Sequence, residues 1–284
     1  MIRVERHFPI DMATVDAISR LDAESGHRGL SDDFWAELHA GAARGALAFE
    51  GDRLIGYAHH SLQGETTTLQ ILSVGDDTLN VESALLRVTI EETRNAVRWW
   101  VMDPSASEVD LAASVGFDPV RELLQMRVAL PVATHSVVAT RPFKIGVDNG
   151  DWLRVNNRAF ASHPEQGMWT PNTLEARIAE PWFDPNGFLL HEIDGQLAAF
   201  CWTKIHTDSV EKVGEIYVIA VDPVFHGQGL GRALTEAGLA SIYARSVGSG
   251  MLYVDATNTA AVRLYTSMGF ALTHTNVLFA QPSS

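Results

Sequence analysis

Apolar positions along the chain fall into short blocks of two kinds. In IYVIAV (216–221) they run almost unbroken and are rich in β-branched residues, the pattern of a strand covered on both faces. In ALTEAGLASIYARS (233–246) they recur at helical spacing, so a helix is predicted soon after that strand. The order of blocks occurs twice. RGALAFEGDRLIGYAHHSLQGETTTLQILSV (44–74) and NGFLLHEIDGQLAAFCWTKIHTDSVEKVGEIYVIAV (186–221) both read strand, turn at GD or DG, strand, polar loop, strand. SVGFDPVRELLQMRV (114–128) and SMGFALTHTNVLFA (267–280) both read as a helix end closed by glycine and followed by a strand. A repeat of about 140 residues is far too long for a solenoid unit and predicts a duplicated domain. LPVATHSVVATRP (130–142), with a proline near each end, reads as the linker.

One stretch is not duplicated. Between the predicted strand and helix of the second copy lies VDPVFHGQGLGRAL (221–234), with glycines at 227, 229 and 231. The first copy continues GDDTLNVESALLRVTIEETR (75–94), which lacks the triple glycine and places Asp76, Asp77 and Glu82 there instead. A helix N-terminus offers free N–H groups and the positive end of its dipole to an anion. Glycines let those amides approach a diphosphate with no Cβ in between. The spacing G-x-G-x-G is neither the dinucleotide fingerprint nor a P-loop, and the residues alone leave open a tight turn that binds nothing.

A length of 284 residues fits two domains, and 46% hydrophobic with 20% charged residues is ordinary globular composition. No apolar signal region opens the chain and no run of about 18 apolar residues occurs, so a soluble, cytoplasmic protein is expected. The single cysteine, Cys201 in LAAFCWTK, excludes a disulfide framework and reads as a buried, inert thiol. The net charge of −14 argues against nucleic acid as a partner and suits a cationic small substrate. The eleven histidines, His163 among them, show no H-E-x-x-H or similar spacing, and no metal is expected.

His226-Gly-Gln-Gly-Leu-Gly231, after a strand ending VDP, resembles the Q/R-x-x-G-x-G/A signature of the GCN5-related N-acetyltransferase (GNAT) superfamily, with histidine at the first position. LYVDATNTAAVRLYTSMGF (252–270) is similar to that superfamily's closing strand, Asn, helix and Tyr before GF. LRVNNRAFASHPEQGMWT, EPWFDPNG, WTKIH, GEIYVIAVDP and NTAAVRLYTSMGF, in this order, resemble the mycothiol synthase family of tandem GNAT enzymes. The match is strong over 150–284 and loose over 1–149, where VGFDPVRELLQMR also fits.

The resemblance implies an α/β (α+β) fold of two tandem GNAT domains, each a mixed, mostly antiparallel sheet flanked by helices. Their expected extents are 1–135, without the glycine loop and non-catalytic, and 140–284, catalytic. It implies acetyl-CoA as co-substrate and N-acetylation of the cysteinyl amine of Cys-GlcN-Ins, a cysteine joined to glucosamine-inositol. Acetyl transfer needs positioning, proton removal and oxyanion stabilisation, and no side chain here reads as an activated nucleophile. Glu215 is the implied base, on a strand expected to turn Tyr217, Ile219 and Val221 to the same face. Tyr265 is the implied general acid, a phenol whose ordinary pKa near 10 lies above that of a thiol. Read without the resemblance, Glu215 is an acid at a strand end, Tyr265 a core residue and Lys204 a solvated strand residue.

For acetyl-CoA, the backbone of Ile219, Ala220 and Val221 should pair with the pantetheine arm. His226, Gly227, Gln228, Gly229, Leu230, Gly231 and Arg232 should hold the diphosphate. Asn258, Thr259, Ala260, Ala261, Val262 and Arg263 should line the thiol end and the far side of the cofactor. For the acceptor, the resemblance implies Asp32, Glu165, Lys204, Glu215 and Tyr253. A different amine acceptor, or a protein that senses acetyl-CoA without catalysis, fits the glycine loop equally well. The first domain is expected to bind acetyl-CoA weakly or not at all and to wall the substrate cleft, and the default assembly is a monomer.

Overall fold

A computed structural model describes residues 2–26, 29–41, 43–93, 95–135, 137–161, 166–207 and 212–281. By contacts between residues the chain forms two compact units, 1–123 with 274–284, and 124–273. Neither is contiguous with one copy of the sequence repeat.

The first unit contains β1 (Ile2–His7), α1 (Met12–Ser25), α2 (Asp32–His39), β2 (Arg44–Glu50), β3 (Arg53–Gln63), β4 (Thr66–Ser73), α3 (Thr78–Glu92), β5 (Ala96–Met102) and α4 (Ala106–Ser114). β6 (Asp118–Ala129) starts here and ends in the second unit. The second unit continues with β7 (Arg141–Pro142), α5 (Asn149–Ala159), α6 (Pro171–Ile178), β8 (Phe188–Ile193), β9 (Gln196–His206), β10 (Val213–Val221), α7 (Leu230–Tyr243), β11 (Ser249–Asp255) and α8 (Thr259–Ser267). β12 (Ala271–Ala280) begins in the second unit and from residue 274 belongs to the first.

Within each unit the strands follow one plan. In the first the order is β1-β2-β3-β4-β5-β12, antiparallel except for the parallel pair β4–β5. In the second it is β7-β8-β9-β10-β11-β6, and β10–β11 is the parallel pair. The closing strand of each plan therefore comes from the other half of the repeat. Asn276–Ala280 pairs with Arg98–Met102 in the first unit, and Leu130 after β6 donates to Gly248 before β11 in the second. Hydrophobic periodicity finds such a strand but carries no information on which neighbour it pairs with.

In the second unit both faces of the sheet are covered. One carries α7 and α8, whose Leu234, Leu239, Ile242 and Tyr265 pack with Cys201, Ile216 and Leu252. The other carries α5 and α6 over an aromatic core of Phe143, Trp152, Phe188, Phe200 and Trp202. There Phe188 stacks on Phe143 and on Trp202, with centroids 4.3 Å apart in both pairs. The predicted helix 233–246 and strand 216–221 are both present, each displaced by a few residues at its start.

Close approach of α7 to the sheet depends on missing side chains. A Cβ on Gly238 would lie 2.4 Å from Cys201 Sγ, and one on Gly214 would lie 2.1 Å from Ile242 Cγ2. Cys201 is buried, and burial pushes its thiol up to about 12. Gly238→Ala is expected to cost about 1–3 kcal/mol by overpacking, and adding Cys201→Ala to recover part of it. Urea unfolding of the four proteins in this cycle checks it: a coupling of at least about 0.5 kcal/mol is expected, and simple additivity would refute the close contact.

Candidate functional site

The site is built on one irregularity in β10. Its residues 213–216 pair with His206–Thr203 of β9, the register shifts between Ile216 and Val218, and pairing resumes from Val218↔Trp202 to Val221↔Ala199. Tyr217 is thus the extra residue of a β-bulge, which bends the strand and strengthens its twist. On the other side, β10 pairs with β11 only over Gly214↔Gly250, Glu215↔Met251 and Ile216↔Leu252. Beyond the bulge the edge of β10 that faces β11 is left without a strand partner in this register.

A bulge also shifts the alternation of side chains. Ile216, Ile219 and Val221 pack on the side of α7, whereas Tyr217, Val218 and Ala220 belong to the aromatic core on the other face. Glu215 stands opposite Lys204, whose Nζ lies 4.7 Å from the Trp182 ring centroid on that aromatic side. The expected shared face of Glu215, Tyr217, Ile219 and Val221 is therefore corrected: Ile219 and Val221 turn away, because an added residue inverts everything after it.

Three of the predicted acceptor residues come together on the aromatic face, on adjacent strands. Lys204 of β9 and Glu215 of β10 are directly paired and almost fully buried. Tyr253 of β11, two residues beyond the partner of Glu215, is 37% exposed on the same face. Glu215 Oε2 lies 2.7 Å from His206 Nε2. The Tyr253 hydroxyl accepts from Gln125 Nε2 at 2.7 Å, and Gln125 Oε1 accepts from Thr273 Oγ1 at 3.0 Å. His206 and Gln125 were missed by sequence reasoning. His206 closes the quoted WTKIH motif and was within reach of period-two spacing from Lys204; nothing local marks Gln125. Glu165 lies outside the described residues, and Asp32, first residue of α2 in the other unit, has no described side chain.

Tyr265 is on the opposite face, with α8. It is 7% exposed and its ring lies 5.6 Å from that of Phe270. Burial, and to a lesser extent Cys201, pushes its phenol up to about 12. The ordinary phenol value used at the level of sequence is thereby corrected, since desolvation opposes the phenolate.

At the end of β10 Asp222, nearly fully buried, accepts from the Val224 N–H at 3.1 Å and forms an ion pair with Arg158 of α5. His226 turns back to place Nε2 3.0 Å from the Val221 carbonyl oxygen, so a histidine at this position helps hold the turn. Gly227 and Gly229 have φ of 80° and 76°, the left-handed region that favours glycine. Gly229 is the N-cap of α7 and no side chain caps the helix, so first-turn N–H groups point outward. Gly231 is different. It lies in the helix without positive φ, and a Cβ there would make only an ordinary 3.6 Å contact with Leu264 Cδ2. Of the three glycines, two serve the backbone and only Gly231 fits the idea of room made for a ligand.

A cavity of about 530 Å³ opens there, lined by residues 228–233, Leu264, His135 and Val138. Its size is in the range of small-molecule sites. His135 and Val138 belong to the expected linker, which here lies against α7: the His135 N–H donates to Glu236 Oε2 at 2.9 Å. Buried Glu236 also lies 3.4 Å from His135 Nδ1 and 3.9 Å from Arg232 Nη1, and Arg232 Nη2 donates to Ser267 Oγ at 2.5 Å. Asn258 caps α8 through Oδ1 to the Ala261 N–H at 3.1 Å. Thr259, Ala260, Ala261, Val262 and Arg263 form the first turns of that helix.

These features match known proteins. Residues 152–270 match the model of the acetyltransferase (GNAT) family. The chain is 41% identical to the mycothiol acetyltransferase of Thermomonospora curvata over 95% of its own length and 92% of the relative's. The chain belongs to the mycothiol acetyltransferase family. Its fold is shared with a GCN5-related N-acetyltransferase from Sphaerobacter thermophilus at a TM-score of 0.77 and 20% identity, covering 100% and 97% of the two chains. A tandem GNAT protein from the clavulanic acid biosynthesis pathway superposes at 0.69 and 14% identity over 100% of both chains. The two-fold plan of mixed sheets flanked by helices is thus a tandem GNAT fold, and the enzyme is an acyltransferase.

GNAT acetyltransferases use acetyl-CoA, and the glycines allow a direct test of where it binds. Gly229→Ala should lose about 1–2 kcal/mol of stability, the cost of a left-handed alanine. Gly231→Ala should hold its stability or gain up to about 1 kcal/mol from helix propensity, yet bind acetyl-CoA more weakly. Thermal unfolding with and without acetyl-CoA separates the two; unchanged affinity in Gly231→Ala would remove this turn from the site.

Proposed function

We propose that the enzyme transfers the acetyl group of acetyl-CoA to the cysteinyl amine of Cys-GlcN-Ins, giving mycothiol and CoA. The observation that carries this reading is the 41% identity to a mycothiol acetyltransferase across almost the whole chain. The acceptor chemistry supports it. An ammonium group suits the acidic chain and Glu215, while Lys204 and Tyr253 offer donors to sugar and inositol hydroxyls. Glu165 and Asp32 are assigned to the acceptor by family resemblance alone.

Acetyl-CoA supplies an activated acyl group as a thioester. Its diphosphate is assigned to the stretch from His226 to Arg232, at the uncapped N-terminus of α7. Its pantetheine arm is assigned to the open edge of β10 at Ile219, Ala220 and Val221, as an added strand. Asn258 and the first turns of α8 to Arg263 line the remainder, with the Asn258 oxygen already engaged in capping.

Glu215 takes the proton from the substrate ammonium, and the free amine attacks the thioester carbon directly. Collapse of the tetrahedral adduct breaks the C–S bond and releases the thiolate. Tyr265 faces that leaving group as a hydrogen-bond donor. Burial pushes its phenol up to about 12, further above an ordinary thiol than a free phenol would be. Tyr265 stabilises the thiolate by that hydrogen bond, and the sulfur ends with the second proton that the attacking nitrogen gives up as it becomes an amide.

The catalytic work belongs to the second repeat, 140–284. The first, 1–135, has Asp76 and Asp77 where the second has its glycine turn and binds acetyl-CoA weakly or not at all. The enzyme acts as a cytoplasmic monomer; no helix among the described residues is long and apolar enough to cross a membrane.

Thiol release from acetyl-CoA tests the reading, with Cys-GlcN-Ins compared against simple amines and peptide N-termini and the acceptor's own thiol subtracted. Fast turnover with Cys-GlcN-Ins alone is expected. Glu215→Gln should lower kcat by about 100-fold or more while acetyl-CoA still binds. Turnover confined to another amine would keep the chemistry and discard the acceptor.

A further inference from the structure

Proton removal from an ammonium leaves a question of disposal. Each turnover that begins with R–NH₃⁺ and acetyl-CoA and ends with an amide and CoA thiol releases one proton. Glu215 can receive it, but its side chain is only 8% exposed, and a carboxylic acid sealed in that position cannot serve the next cycle. The groups around it differ in what they can accept. Lys204, directly opposite on β9 and 4% exposed, is a donor when charged and has no lone pair to offer. Tyr253 on β11 has its oxygen engaged by Gln125 Nε2 at 2.7 Å. His206, two residues along β9 from Lys204, places Nε2 2.7 Å from Glu215 Oε2, and its side chain is 24% exposed. The imidazole thus touches the carboxylate at one end of a path that leads from a closed position to a more open one.

We propose that His206 carries the substrate's proton from Glu215 to solvent; this rests on the reading of Glu215 as base. In the resting pair Nε2–H donates to the carboxylate and holds Oε2, which leaves the other oxygen for the ammonium. The ammonium gives a proton to Glu215. The neutral ring first exchanges protons with water, losing Nε2–H and gaining Nδ1–H with no net change; Nε2 then accepts a proton from the carboxylic acid, and the imidazolium releases its Nδ1 proton to water, which restores the Nε2–H tautomer. One N–H bond of the substrate is broken, one O–H bond of hydronium is formed, and both side chains end as they began. A histidine suits this step because its two ring nitrogens accept and donate in turn.

His206→Gln and His206→Ala separate this role from a passive one. Glutamine keeps an N–H donor but carries no proton, so His206→Gln should lower kcat about tenfold, a fraction of the range for general acid–base catalysis. KM for acetyl-CoA and for the amine should stay within about twofold, since neither substrate is held by the ring. Millimolar imidazole should restore kcat in His206→Ala in a concentration-dependent, saturating way and should leave Glu215→Gln inactive. Stabilisation of each variant by acetyl-CoA, measured by thermal shift, certifies the fold. Wild-type kcat in His206→Gln would overturn the proposal, and so would a slow His206→Ala that imidazole leaves unchanged. If the wild type ignores Cys-GlcN-Ins but acetylates another amine, the acceptor reading fails and the same variants test His206 on that amine. A wild type that acetylates no amine overturns both.

Discussion

The second unit is organised around one extra residue. Tyr217 enters β10 as a bulge, and three consequences follow from that insertion. The strand bends away from β11 after Ile216, which leaves an edge of unpaired backbone in the middle of an otherwise paired sheet. Side chains before and after it exchange faces, so Glu215 sits over the aromatic core while Ile219 and Val221 pack beneath α7. The strand then ends at a turn braced by Asp222 and Arg158, and from there the chain enters α7 through two left-handed glycines. A regular strand would have kept its side chains in one unbroken alternation.

Such an irregularity needs a rigid surround. Unpaired backbone is costly in a protein interior, and a bulge persists only where neighbouring packing leaves the chain no better arrangement. Here the support comes from two sides. Trp202, stacked on Phe188 and edge-on to Tyr217 at 5.4 Å, fills the space below the bulge. Above it, Gly238 and Gly214 bring α7 so near the sheet that Cys201 and Ile242 occupy the places their Cβ atoms would crowd. The aromatic rings are large, stiff and cheap in rotamer entropy, which makes them suited to holding a strand in a shape it would not choose alone.

Much of this plan can be read from residues. The repeat of strand and helix blocks, the glycine turn, and Lys204, Glu215 and Tyr253 as acceptor candidates all rest on pattern or family resemblance, and the last three do meet on one face. What escaped the sequence has a common physical cause. IYVIAV is apolar on both faces, so its alternation carries no visible phase and the bulge that inverts it leaves no trace. The exchange of closing strands is a choice between two similar partners, decided by long-range packing. The stretch 130–142 looks like a linker because prolines and small residues dominate it, yet its His135 finds the buried Glu236 of α7 across about a hundred residues of sequence. Gln125 and His206 matter through what they touch; His206 could be reached by spacing from Lys204, whereas nothing local marks Gln125. In the first unit an analogous strand, β3, holds a polar cluster: Tyr57 and Glu37 flank the fully buried His59 at 2.8 and 3.1 Å. Burial alone would raise the Glu37 carboxyl, but hydrogen bonds from His59 and Ser61 outweigh it and lower it.

Every turnover of a CoA-dependent acetyltransferase liberates a free thiol beside the protein that made it. Exchange with a protein cysteine requires a thiolate that another sulfur can reach. Cys201, the one cysteine of the chain, meets neither condition: it has no exposed surface, and its ionisation lies near 12. The sulfur against which Gly238 of α7 packs is thus shielded from forming a mixed disulfide with the product. The enzyme can thus work amid thiols and disulfides with its own redox state fixed by packing, independent of the balance of oxidant and reductant around it.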